Sequence, residues 1–240
     1  MGRVNSNSSD NFYWSIFSGT QDTERSLLGR NGAVFYRNVP EDEARTNGKL
    51  NSYYRERVNK NGKTVYEEVS EALSGYVVDL IYRDGKFGKQ MIIVLEDNGE
   101  RHSIQMNAFN ESKNITPYAS ALCENLALIP FKDTLVCMTP YSREKDGWTN
   151  KGFYLSKDDE NLGDFRNKFL CDTETFLSHV QQKPKGEDVT LADGSVSKDY
   201  KKKNDWLFSQ WEAAMERMNQ GEVRKESTEK EEATVDALPF

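Results

Sequence analysis

The sequence predicts a mainly β chain of the α+β class. Its centre reads as a five-stranded Greek-key barrel, flanked by an N-terminal β-hairpin extension, a C-terminal amphipathic helix and a disordered acidic tail. Three observations predict this. Between residues 73 and 157, three apolar runs, a helical stretch and two further apolar runs follow one another across short turns. Between Asn204 and Met218, the apolar residues Leu207, Trp211, Ala214, Met215 and Met218 recur on one helical face. From Gln220 onward the chain is polar and charged and buries nothing.

In chain order, residues 1–12 are rich in Asn and Ser and are expected to be disordered. Residues 13–72 read as a β-rich extension packed on the barrel. Tyr13–Phe17 and Ala33–Tyr36 are short strands, and Tyr53–Val58 and Thr64–Tyr66 flank Asn59-Lys60-Asn61-Gly62, a hairpin signal because Asn-Gly tolerates positive φ. Tyr76–Tyr82, Met91–Leu95 and His102–Met106 form a three-strand meander, joined by the turns Asp84–Gly88 and Asp97-Asn98-Gly99. Thr116-Pro117 opens a helix as N-cap and first helical residue, running through Leu126. Asp133–Met138 and Gly152–Leu155 supply the last two strands of the core at 73–157. Residues 158–219 are an embellishment: helix-like spacing over Leu162–Val180, a hairpin tip at Asp193-Gly194, a basic run at Lys198 and Lys201–Lys203 that reads as linker, and the final helix.

The order β-β-β-α-β-β resembles the oligonucleotide-binding (OB) fold, whose ligand surface is built by strands two and three with the loops joining strands one to two and four to five. Both loops carry suitable chemistry. The first offers Arg83, Lys86, Phe87 and Lys89, and the second, Tyr141–Lys151, offers Tyr141, Arg143, Lys145, Trp148 and Lys151. Cations follow phosphates while flat rings stack on unpaired bases, so the mixture suits single strands. On the third strand Arg101, Ser103 and Gln105 alternate with His102, Ile104 and Met106, as in a wall with one wet side. In the hairpin, Tyr53, Tyr54 and Tyr66 with Arg55, Arg57 and Lys60 either extend the candidate groove, chiefly through Tyr54 and Arg57, or pack as an edge strand on the barrel. For single residues the competing reading is ordinary: the rings cap the barrel mouth and the lysines keep the loops soluble.

Charge speaks against a simple basic coat. The 240 residues carry a net charge of -7, and the segment from Glu222 accounts for -3 of it, so a basic groove has to be segregated from acidic faces. Mean hydropathy is -0.80. No run is long and apolar enough to span a membrane, and the polar N-terminus does not read as a signal peptide, so a soluble cytoplasmic protein is expected. Cys123, Cys137 and Cys171 with His102 and His179 give no metal-ligand spacing, so neither metal nor cofactor is expected.

The end of the chain, Val235-Asp236-Ala237-Leu238-Pro239-Phe240, is similar to the acidic tail tip of bacterial and phage single-stranded DNA-binding proteins, which ends in acidic residues, an aliphatic and Pro-Phe. The match lies at Leu238, Pro239 and Phe240, with Asp236 alone supplying the acid and Ala237 departing from the pattern. The resemblance implies that the ring of Phe240 docks in an apolar pocket of a replication, recombination or repair protein while its α-carboxylate meets a cation. It also implies a non-enzymatic protein that protects single-stranded DNA without strong sequence specificity. The rivals are an adaptor that has the docking tip without a DNA grip, and a metal-dependent nuclease built from scattered carboxylates. With two histidines and no P-loop, HExxH or nucleophile elbow, the enzymatic rival has few candidate residues. The sequence leaves the oligomeric state open.

Overall fold

The computed structural model describes residues 11–18, 31–59, 61–86, 88–126, 131, 135–157 and 173–235. The chain opens with β1 (Asn11–Ser18) and β2 (Ala33–Val39), an antiparallel pair with Phe17 opposite Val34. A four-residue helix α1 (Glu41–Ala44) and the two-residue strands β3 (Arg45–Thr46) and β4 (Lys49–Leu50) follow, none of them anticipated from the sequence. The expected hairpin is present as β5 (Tyr54–Val58) and β6 (Thr64–Ser70), its turn closed by Asn59, whose Oδ1 accepts from the amides of Asn61 and Lys63.

The meander is β7 (Leu73–Gly85), β8 (Gly88–Asp97) and β9 (Glu100–Asn107). A bulge between Val77 and Asp79 lets one long strand bend, so that β7 pairs with β8 along most of its length and with β10 at its first three residues. Helix α2 (Pro117–Leu126) starts as expected, with Thr116 Oγ1 accepting from the Ala119 amide. It leads to β10 (Val136–Lys145) and β11 (Trp148–Lys157). Residues 158–172 of the expected 162–180 helix lie outside the described residues. The remainder forms α3 (Thr173–Gln181), the small hairpin β12 (Glu187–Thr190) and β13 (Val196–Asp199), and α4 (Lys201–Val235).

One core lies between the inner face of the sheet and two helices. Met91, Ile93 and Leu95 of β8 and Ile104 of β9 meet Leu122 and Leu126 of α2 and Leu207 and Trp211 of α4. Each such side chain contributes roughly 1.5 to 3 kcal/mol by leaving water. Ile104 lies on the face of β9 expected to be apolar, and the well-patterned C-terminal helix buries its apolar stripe as its spacing required.

Four expectations are corrected. The five strands do not close into a barrel. They belong to a nine-stranded mixed sheet of order β11-β10-β7-β8-β9-β1-β2-β6-β5, in which the outer edge of β9 is taken by β1, running parallel to it. Phe12, Trp14 and Ile16 alternate inward on β1, Trp14 is buried beside Ile104, and its Nε1 donates to His102 Nδ1 at 3.1 Å. The N-terminal segment thus fills the position a barrel would give to its last strand. Near closure occurs at one point: Ser142 N of β10 donates to Asn31 O at 2.8 Å, just before β2. Gly32 has a φ of +70°, and a Cβ there would overlap the Ser142 carbonyl oxygen, so this seam requires glycine.

The stretch Tyr141–Lys151 is not a loop. It is a hairpin continuing β10 and β11 to a two-residue turn, Asp146-Gly147, whose φ values of 53° and 77° match the twist of the flanking strands. The outer side of β9 is not uniformly wet: Ser103 is buried, its Oγ donating to Asn11 Oδ1 at 2.8 Å once β1 lies alongside. Finally, Lys201–Lys203 form the first turn of α4 and not a linker, because Asp199 Oδ1 accepts from the Lys201 amide and restrains the helix start. The helix runs on to Val235, so the acidic segment expected to be unfolded carries helical backbone as far as that residue.

Candidate nucleic-acid interface

Paired residues on neighbouring strands share a face, so the register assigns each candidate to a side of the sheet. Met91, Ile93 and Leu95 mark the core side. Arg83 pairs with Gln90, Gln105 with Ile92, and Arg101 with Glu96, all in the alternate set, so Arg83, Gln105 and Arg101 lie on the outer face. Arg101 is bound to Glu96 at 2.8 Å. Arg83 is exposed and has no side-chain partner among the described residues. Lys89 lies on the other side, paired with Asp84 at 2.9 Å, a hydrogen bond that raises its pKa above the ordinary lysine value. Lys86 sits in the turn after β7, and Phe87 lies outside the described residues.

The β10–β11 hairpin gathers the second group. Tyr141 and Tyr154 lie with ring centroids 4.6 Å apart, and the guanidinium of Arg143 covers the Tyr154 ring at 5.4 Å. Burial, and then the neighbouring Tyr154, push the Tyr141 phenol above its usual pKa. Arg143 Nη2 also donates to Asn31 Oδ1 at 3.4 Å, tying the hairpin to the approach to β2. Trp148 stands at the hairpin tip with 80% of its surface exposed. Lys145 pairs with Trp148 across the turn, its side chain outside the described set. Lys151 faces inward, its Nζ donating to Ser18 Oγ at 3.0 Å.

The two candidate loops are not brought together. From the Met138–Leu73 pair, β7 runs one way to Gly85 and β10 the other way to Lys145, so their tips lie at opposite ends of the sheet. Tyr54 and Arg57 are three residues apart on β5 and therefore face opposite sides. Burial, then Glu68, raises the Tyr54 phenol. Arg57 Nε donates to Glu67 Oε1 at 2.7 Å. The docking residues Asp236, Leu238, Pro239 and Phe240 lie outside the described residues.

Sequence reasoning passed over Asn31, Phe17, Tyr36 and Tyr154 as site residues and named Arg55 only with the rest of its hairpin. Tyr154 and Arg143 had a legible signal, since a hairpin places them on one face. Arg55 had a weaker one, its period-two spacing from Arg57.

Among the described residues, no cluster of His, Cys, Asp and Glu could hold a metal ion, and no helix is long and apolar enough to cross a membrane. Cys123 and Cys137 are buried free thiols, and burial pushes that of Cys123 up to about 12; Cys171 lies outside the described residues. Comparison with protein-family models, curated proteins and solved structures finds no match to this chain.

Proposed function

We propose that this chain binds and protects single-stranded DNA, with an OB-like wall formed by β7, β8, β9, β10 and β11 and with the β10–β11 hairpin as its principal grip. The observation that carries the reading is Trp148, a large ring held in solvent on an ordered hairpin beside the Tyr141–Tyr154–Arg143 group. An exposed indole has no packing role to explain it. Together with stacked tyrosines and a guanidinium it supplies ring surface for bases and charge for phosphates. Strand order supports the wall: α2 stands between the third and fourth core strands, and β7 pairs with both the second and the fourth. The open edge of β9, filled here by β1, is the departure from that fold. The tail tip, through Leu238, Pro239 and Phe240, recruits replication, recombination or repair proteins, and the chain acts without catalysis.

The test is a tryptophan fluorescence titration with oligo(dT) and with duplex DNA of equal length. Trp14 and Trp211 are buried and Trp206 is half-buried against the core, which leaves Trp148 as the most exposed ring, and Trp148→Phe in the same titration identifies its share of the signal. Quenching by oligo(dT), with log affinity falling by about 0.7 per log unit of salt for each phosphate neutralised, is expected. Equal affinity for duplex, or a flat salt response, would overturn the assignment.

A further inference from the structure

Among the described residues, the outer face of the N-terminal extension sets two guanidinium groups against one buried carboxylate. Glu67 of β6 is 0% exposed and serves two guanidinium groups. Arg55 Nε donates to Glu67 Oε2 at 2.6 Å, and Arg57 Nε donates to Glu67 Oε1 at 2.7 Å. One carboxylate therefore faces two cations. Arg55 is 3% exposed, yet its Nη1 finds no acceptor among the described residues. A buried guanidinium nitrogen without an acceptor is costly, because it has lost water and gained nothing. Its plane covers the rings of Phe17, at 4.7 Å, and Tyr36, at 5.5 Å, which meet edge to face. Arg57, 36% exposed, marks the open side of the group.

The geometry points to a second DNA contact here: an anion subsite at Arg55 and Arg57 that takes a backbone phosphate, with Phe17 and Tyr36 beside it as a base platform. A phosphate meeting Arg57 on the open side supplies the negative charge for the surplus cation, and so releases Glu67 to Arg55 behind it. The subsite connects to the hairpin grip. Asn31, which holds Arg143 and Ser142, enters β2 two residues before Ala33, and Val34 pairs with Phe17. A strand leaving Trp148 and the Tyr154–Arg143 pair is thus led across the seam onto β1, β2 and β5. This path rests on the reading of the chain as a single-strand binder, and it runs over the extension and not only over the outer face of β8 and β9.

The experiment uses the full chain and oligo(dT) in a salt series, with Arg55→Gln, Arg57→Gln, Phe17→Leu and Tyr36→Leu. Each arginine variant is expected to lower affinity about tenfold at low salt and to reduce the log-log salt slope by about 0.7, the share of one phosphate on a single strand. Each ring variant is expected to lower affinity by a similar factor with the slope unchanged, because stacking carries no counterion release. Arg55→Gln leaves buried Glu67 with one cation and costs stability, so Arg57→Gln, on the open side, carries the test if the former does not fold. Unchanged affinity and slope in Arg57→Gln, together with unchanged affinity in Tyr36→Leu, would overturn the subsite. In that case the parent still binds oligo(dT) through Trp148; a parent that does not bind at all overturns the functional reading itself.

Discussion

Trp148 and His102 show how differently two residues of similar chemistry are used. Trp148 makes no core contact, so its removal has little to disturb. Trp148→Ala is expected to cost roughly 1 to 3 kcal/mol of oligo(dT) binding with Tm unchanged, measured by titration and thermal melting on the same sample. A fall in Tm with binding intact would make it a packing residue. His102 stands between Phe12, stacked at 5.7 Å, and Trp14, which donates to its Nδ1. Burial holds its pKa below the ordinary histidine value against the opposing pull of Glu100, Asp97 and Glu68, with Arg37 adding to the lowering. The neutral ring is therefore the folded form. Its contribution to stability is present above the unfolded pKa of about 6.5 and is lost as pH falls below it, because the unfolded chain takes up the proton. Melting from pH 8 to 5 should show a steeper decline for the native chain than for His102→Gln; equal declines would remove His102 from the account.

At the scale of elements, the seam between β2 and β10 depends on Gly32. Gly32→Ala meets both a positive φ and the Ser142 carbonyl oxygen, whereas Gly62→Ala, at a φ of +75°, meets nothing within 4 Å. Backbone strain alone costs about 1 to 3 kcal/mol, so Gly62→Ala measures that part and Gly32→Ala is expected to cost more. Equal values in chemical denaturation would mean that the seam yields. Although β8 is buried throughout Met91–Leu95 and does not alternate, strands β7 to β9 were legible because apolar and β-branched runs bounded by turn residues write themselves locally. The destination of β1 was not, since a parallel pairing about 90 residues away leaves no turn signal between the partners. The far ends of β10 and β11 were read as loop because Arg143, Glu144 and Lys145 show no apolar alternation where the hairpin leaves the core. The burial of Arg55 and Glu67 was illegible for a related reason: charged residues are expected outside, and only the tertiary pairing reveals the pair inside.

For the whole molecule, charge distribution decides whether an acidic protein can hold a polyanion. The segment 222–240 removes three units of positive potential from the chain's total. Joined through α4 to the proposed DNA-binding face, it is a covalently attached competitor for the same cations. Deleting 222–240 is expected to raise oligo(dT) affinity modestly at low salt, with the gain fading toward 0.15 M, where the Debye length is about 8 Å. Deleting Phe240 alone is expected to leave DNA affinity unchanged and to abolish capture of a replication protein. No low-salt gain in the truncation would remove the restraint, and intact capture without Phe240 would remove the docking role.

The parallel seam between β1 and β9 also has a consequence for synthesis. Asn11 is made long before Arg101, its partner in the sheet. At about 5 to 20 residues per second, the ribosome needs roughly 5 to 18 s to cover the interval. Throughout that time Trp14 and Phe12 have Arg37 of β2 beside them but lack His102 and Ile104 of β9. When β9 does emerge, its outer edge is bare until the waiting segment returns. A nascent chain is therefore most prone to pair with a neighbour on the same polysome in this window, before the edge of β9 is covered.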